Sequence, residues 1–111
     1  MNTQFKKGVL ELCVLTLLTS KDAYGYELAE TISKRFEIAE GTLYPLLRKL
    51  KLDGLCATYI SERSAGPPRK YYKLTERGIQ RQQALRAEWQ LFSKEVNAIM
   101  ETQSKGGESN E

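Results

Sequence analysis

The strongest constraint on the fold is a double change of hydrophobic period in a short stretch of chain. Up to Asp53 the apolar residues repeat at helical spacing. From Leu55 to Leu74 strand-forming residues take over, and after Thr75 the helical repeat returns. A first helix is expected from about Gln4 to Ser20. Val9, Leu10, Leu12, Cys13, Val14, Leu15, Leu17 and Leu18 cover most of its circumference, so it must lie between neighbours. In a chain of 111 residues, part of that cover is expected from a partner subunit. A second helix, about Tyr24 to Phe36, carries Tyr24, Leu28, Ile32 and Phe36 on one stripe. Asp22 is placed to cap it. Gly25, in its first turn, reads as a point of close approach by another backbone.

The third helix, about Glu40 to Asp53, turns Leu43, Leu46, Leu47 and Leu50 to one side. Tyr44, Arg48 and Lys51 form an adjacent stripe, with Lys49 further round. Pro45 falls in or just after the first turn, where a missing N–H costs least, and Gly54 supplies the stop. Leu55 to Ser61 and Arg69 to Leu74 read as two strands joined by a turn over Glu62 to Pro68. Within the second of these, Tyr72 shares a face with Leu74 and is assigned to the core, while Tyr71 points the other way. Thr75 caps a last helix running to about Gln103. Leu85, Trp89, Phe92, Val96 and Ile99 recur in it at heptad spacing and make a dimerisation seam, flanked by Ile79 and Met100. Residues 104–111 are polar and Gly-rich and are expected to be disordered.

The order helix, helix, helix, hairpin, helix defines the expected fold class. It is mainly α with a small β part (α+β). A winged helix-turn-helix with a two-stranded wing spans residues 1–74, and a dimerisation helix spans 75–103. No apolar run reaches the roughly 18 residues that span a bilayer. Lys6 and Lys7 ahead of the apolar stretch imitate a secretion signal only weakly, because Glu11 interrupts the apolar region. A cytoplasmic protein is expected.

Residue types narrow the chemistry. The chain has no histidine and two cysteines, Cys13 and Cys56, far apart in apolar surroundings. A Cys/His zinc site is excluded, as are Ser/His and Cys/His nucleophile pairs. No phosphate-cradling glycine loop occurs. No catalytic residue, metal or cofactor is therefore expected. The net charge of +3 is unevenly spread: residues 48–81 carry nine basic and three acidic side chains, while the segments before and after are slightly acidic. A basic middle of this kind suits a polyanion partner.

In a winged helix-turn-helix the third helix enters the major groove of duplex DNA. Thr42 and Tyr44 then lie nearest the bases, and Arg48, Lys49 and Lys51 reach phosphates or guanine edges. Arg63, Arg69 and Lys70 charge the wing. Four blocks support this reading: Tyr24-Gly25-Tyr26-Glu27-Leu28, Glu40 to Leu50, Asp53-Gly54-Leu55, and Gly66 to Gly78. In order and spacing they resemble the signature blocks of PadR-type transcriptional regulators, over residues 5 to about 100. The resemblance implies a homodimer, operator DNA as target, and repression relieved by a small ligand. Ala39, Leu52 and Pro67 depart from the family pattern. They replace a capping serine, a charged outer residue and a wing arginine.

The short members of that family that bind aromatic drugs carry a tryptophan where Trp89 stands. The resemblance thus implies a planar hydrophobic effector between two copies of Trp89. Its lining would be Trp89, Phe92 and Val96 from the last helix with Leu12 and Thr16 from the first. Two other readings stay open. The winged helix can serve as a protein-interaction module, or the chain can act mainly as an aromatic-compound-binding protein.

Overall fold

The computed structural model describes residues 3–62 and 66–109, with side chains placed for 8–39, 41–62 and 66–102. Seven elements follow in order: α1 (Thr3–Ser20), β1 (Ala23–Tyr24), α2 (Gly25–Ser33), α3 (Glu40–Leu52), β2 (Cys56–Ser61), β3 (Arg69–Leu74) and α4 (Glu76–Ser109). This is a winged helix. Among the described residues, no helix is long and apolar enough to cross a membrane.

One core holds the winged part together. Leu10, Val14, Leu15 and Leu18 of α1 meet Leu28 and Ile32 of α2, Leu43, Leu47 and Leu50 of α3, and Leu55, Cys56 and Tyr72 around the sheet. Of the stripes expected on α2 and α3, Leu28, Ile32, Leu43, Leu47 and Leu50 are buried and Leu46 is half-buried, whereas Tyr24 is half-buried in β1 and Phe36 lies beyond α2 and is exposed. Burial also pushes the Cys56 thiol up to about 11.

The sheet differs from the expected two-stranded wing. It has three antiparallel strands in the order β1-β3-β2, with Ala23 opposite Tyr72 and Tyr24 opposite Tyr71. β1 is only two residues long, too short for any periodic signal. Its presence gives the outer face of the sheet a small packing unit of its own. Tyr71 stacks on Tyr59 with ring centroids 5.6 Å apart and meets Tyr24 edge-on at 5.4 Å. Tyr71 is consequently as buried as Tyr72, although the two face opposite sides.

The caps are partly as expected. α2 is not capped by Asp22, whose carboxylate instead accepts a 2.6 Å hydrogen bond from the Tyr59 hydroxyl. Tyr24 is the N-cap residue, and its backbone N–H donates to the Glu27 carboxylate one turn ahead. α3 starts at Ala39 without a side-chain cap. It ends in a paired closing motif: Gly54 (φ +76°) donates to the Lys51 carbonyl, and Leu55 donates to the Leu50 carbonyl. Thr75 caps α4 as expected. Its hydroxyl accepts from the Gly78 N–H and donates to the Gly54 carbonyl, tying the end of α3 to the start of α4.

α4 runs past the stop expected near Gln103. Helical backbone continues to Ser109, which takes in most of the segment expected to be disordered. The 34-residue helix makes the molecule long, 65 × 27 × 22 Å.

Candidate nucleic-acid interface

The candidate surface begins with how α3 is held. Its apolar side is fixed by Leu43, Leu47 and Leu50, which leaves Tyr44, Arg48 and Lys51 on the solvent side. They lie 4 and 3 residues apart, so one helical stripe carries all three. Thr42 is half-buried in the first turn, beside a cleft of about 430 Å³ between α1 and α3. The stripe sits above the sheet. The Tyr72 phenol is raised chiefly by burial, with Cys56 adding to the rise, while the Arg48 guanidinium of α3 works against it.

Tyr44 owes its position to Gly25. A Cβ on Gly25 would stand 2.8 Å from Cε1 of the Tyr44 ring. The close approach expected at this glycine is thus made by a side chain of α3 and not by a backbone. Since the ring is half out in solvent, it can move. Gly25→Ala is expected to change stability by less than about 1 kcal/mol, because helix propensity offsets the contact. It should still weaken DNA binding several-fold by displacing Tyr44, a combination that urea unfolding and DNA anisotropy can check together. An equal loss of stability and affinity would count against this role for Tyr44.

The cations are not equivalent. Lys49 Nζ donates to the Asp53 carboxylate at 2.8 Å, one turn along α3, and this hydrogen bond raises the lysine's pKa above its ordinary value. Arg48 and Lys51 make no ion pair among the described residues, so they are the less committed cations of α3. On the wing, Lys70 is exposed. Arg69 is half-buried, with its guanidinium 4.7 Å from the centroid of the Tyr24 ring. Its Nε is buried and has no hydrogen-bond partner. Arg69 is therefore a constrained cation anchored to the start of α2. Arg63 lies outside the described residues.

The seam residues sit along α4 as spaced. Leu85 and Val96 are half-buried, whereas Trp89 is 41% exposed, Phe92 57% and Ile99 64%. Leu91 and Met100 are exposed beside them. α1 and α4 run antiparallel: Thr16 accepts from the Gln82 amide at 3.0 Å, while Gly8, Val9 and Leu12, earlier in α1, face Leu85 to Phe92, later in α4. Glu11 pairs with Arg81 at 3.1 Å. A cleft of about 330 Å³ opens between the two helices, lined by Gly8, Val9, Leu12, Leu85, Glu88, Trp89 and Phe92. It unites three of the five expected effector contacts: Leu12, Trp89 and Phe92. Thr16 is not among them. The antiparallel register sets it against Gln82, roughly 10 Å along α4 from Trp89. Val96 lies an equal distance beyond Trp89 and does not line the cleft either.

Comparison with known proteins bears on this geometry. The model of the transcriptional regulator PadR-like family matches residues 14–84, which include α2, α3 and both wing strands. An uncharacterized protein of Lysinibacillus sphaericus is 34% identical over 99 residues, covering 86% of this chain and 91% of its own. Two solved structures are similar throughout. A PadR-like transcription factor from Bacteroides fragilis has 42% identity and a TM-score of 0.72, with 87% of this chain and 95% of the other covered. A PadR-like transcriptional regulator from Bacillus cereus has 34% identity and a TM-score of 0.81, with 88% and 97% covered. With the winged helix in place and most of its length matched, the chain belongs to the PadR-like family of transcriptional regulators.

Proposed function

We propose that this regulator is a homodimeric repressor that reads a two-fold-related operator with α3 and the β2–β3 wing. The observation that carries the proposal is the solvent-facing stripe of Tyr44, Arg48 and Lys51 on α3, in the same molecule as the wing cations Arg69 and Lys70. Thr42 stands at the entry of the recognition helix and Lys49 adds charge along it, while Arg63, between β2 and β3 in the sequence, adds a cation to the wing. Phosphate neutralisation by these groups supplies most of the affinity, so binding falls steeply with salt. Fluorescence anisotropy with the region upstream of the protein's own gene, against a scrambled duplex at two salt concentrations, tests it. Tight, sequence-preferring and salt-sensitive binding is expected. Equal, weak binding to both duplexes would favour a protein-interaction module instead, a reading supported by the 86% exposed Leu52 at the end of α3.

The partner subunit belongs on the seam. Trp89, Phe92 and Ile99, with Leu85 and Val96, form an apolar strip that the chain's own fold leaves largely open. Two-fold pairing of α4 covers it and sets the distance between the two α3 helices. The cleft at Trp89 then becomes the place for a planar hydrophobic effector that releases the repressor. A chain carrying Phe92→Glu and Ile99→Glu is expected to sediment as a monomer. Each substitution counts twice across a two-fold axis, and the dimer Kd should rise by about a thousandfold or more. Sedimentation velocity decides; an unchanged dimer would place the interface elsewhere.

A further inference from the structure

The outer half of the wing presents a bare apolar side chain among cations. Strand register puts Thr58 opposite Tyr72 and Ile60 opposite Lys70. Side chains alternate along a strand, so these four share one face of the sheet, while Tyr59, Tyr71 and Arg69 point from the other. The Tyr72 end of the shared face is closed by α3, since Tyr72 enters the same core as Leu43 and Leu47. Burial is the main cause that raises the Tyr72 phenol, but Arg48 and Tyr44 of the α3 stripe also act on it through space, which sets the stripe beside this end of the face.

Two residues further out, about 7 Å along the strands, the same face is open. Ile60 is 67% exposed there, and among the described residues only Leu52 is a more exposed large apolar side chain. Lys70 beside it is exposed and makes no ion pair among the described residues. Between Ile60 and Lys70 the chain carries Arg63, Arg69 and one carboxylate, Glu62, so the arm is net basic. A branched residue suits β2, but threonine would serve that need without exposing carbon. A ligand explains the isoleucine better.

With α3 in the major groove, the Ile60–Lys70 face lies outboard of Tyr44, toward the neighbouring minor groove. Lys70 can hold a phosphate at its edge. Ile60 has no hydrogen-bonding group in its side chain and can meet only the sugar walls and the groove floor. In that groove A·T pairs present acceptors alone, whereas each G·C pair adds the 2-amino group of guanine. A branched alkyl group aimed at the floor collides with that amine and leaves it without a partner.

We propose that Ile60 is a specificity-determining residue that enters the minor groove beside the α3 site and rejects the guanine 2-amino group, so that the regulator prefers A·T pairs there. The inference rests on the DNA-reading function proposed above.

Fluorescence anisotropy of the full chain tests it, with the upstream duplex in three forms. One is unmodified. In the second, 2,6-diaminopurine replaces adenine, which adds a minor-groove amine to every A·T pair and leaves the major-groove edge as it was. In the third, inosine replaces guanine, which removes the amine and again keeps the major-groove edge. The parent is expected to bind the diaminopurine duplex about tenfold more weakly than the unmodified one, and the inosine duplex no more weakly. Ile60→Ala should bind all three within about threefold of one another, and Ile60→Val, which keeps the branched contact, should retain the parent's ranking. Modified bases also change groove width and stiffness, but that acts on parent and Ile60→Ala alike, so the difference between the two proteins reports Ile60. A diaminopurine penalty equal in parent and Ile60→Ala overturns the inference and leaves the DNA reading intact, as does a parent with no penalty. A parent without preference for the unmodified duplex over a scrambled one fails the DNA reading itself, and the inference with it.

Discussion

Replacing Gly78 by alanine should lower the midpoint of thermal unfolding by about 15 °C, the equivalent of about 3 kcal/mol. The sign is the informative part. In an exposed helix the same change stabilises by about 1 kcal/mol, because alanine is the better helix former. Gly78 lies in the first turn of α4, where a Cβ would stand 2.1 Å from the backbone carbonyl oxygen of Leu55 and 2.9 Å from Cδ2 of Leu74. A backbone oxygen at that distance cannot step aside as a side chain can. It also accepts the N–H of Thr75, and the Thr75 hydroxyl holds the neighbouring Gly54 carbonyl. Relief would therefore pull α4 off the α3–β2 corner and break both bonds. Circular dichroism melts at one fixed protein concentration would measure the shift, since a dimer's midpoint depends on concentration. Gly8→Ala, with nothing within 4 Å of the added carbon, is the control and should melt no lower than the parent. A Gly78→Ala protein that melts with the control would mean that the corner is looser than its contacts imply.

That corner also marks what the sequence could convey. The period changes at Gly54 and Thr75 were legible because glycine stop and threonine cap act locally, within a few residues of themselves. The stripe on α3 was legible for the same reason: once Leu43, Leu47 and Leu50 are inward, helix geometry leaves Tyr44, Arg48 and Lys51 outward. Contacts between distant segments were not. β1 is two residues long and exists only because β3 offers it an edge. The pull of Tyr59 on Asp22, across 37 positions, removed the cap expected on α2. Tyr71 read as outward and is so, yet two aromatic rings from the strands on either side, Tyr24 and Tyr59, cover it. Thr16 shares a stripe of α1 with Leu12, but the register of α1 against α4 sends it to Gln82, away from Trp89. Each of these arrangements comes from packing between elements, which one-dimensional spacing does not encode.

The same logic predicts which cations of α3 matter most. Alanine at both Arg48 and Lys51 should weaken operator binding on the order of 50- to 100-fold at about 0.1 M salt, and should lower the slope of log K against log salt by about 2. Each phosphate contact contributes roughly 0.9 to that slope, and at this salt concentration roughly a factor of ten in affinity. Both side chains are exposed and unpaired, so their loss should leave the melting temperature within about 2 °C of the parent. Lys49→Ala should cost less than either, because Lys49 is already committed to Asp53 at 2.8 Å and must leave that carboxylate to reach DNA. The operator and a scrambled duplex separate the two roles open to Arg48. If it touches only phosphate, both affinities fall together. If it pairs with a guanine edge, the operator loses about 1–3 kcal/mol more than the scrambled duplex. A double variant that binds operator as tightly as the parent, at the same slope, would take α3 out of the reading surface and leave the wing and its Tyr24-anchored Arg69 to account for binding.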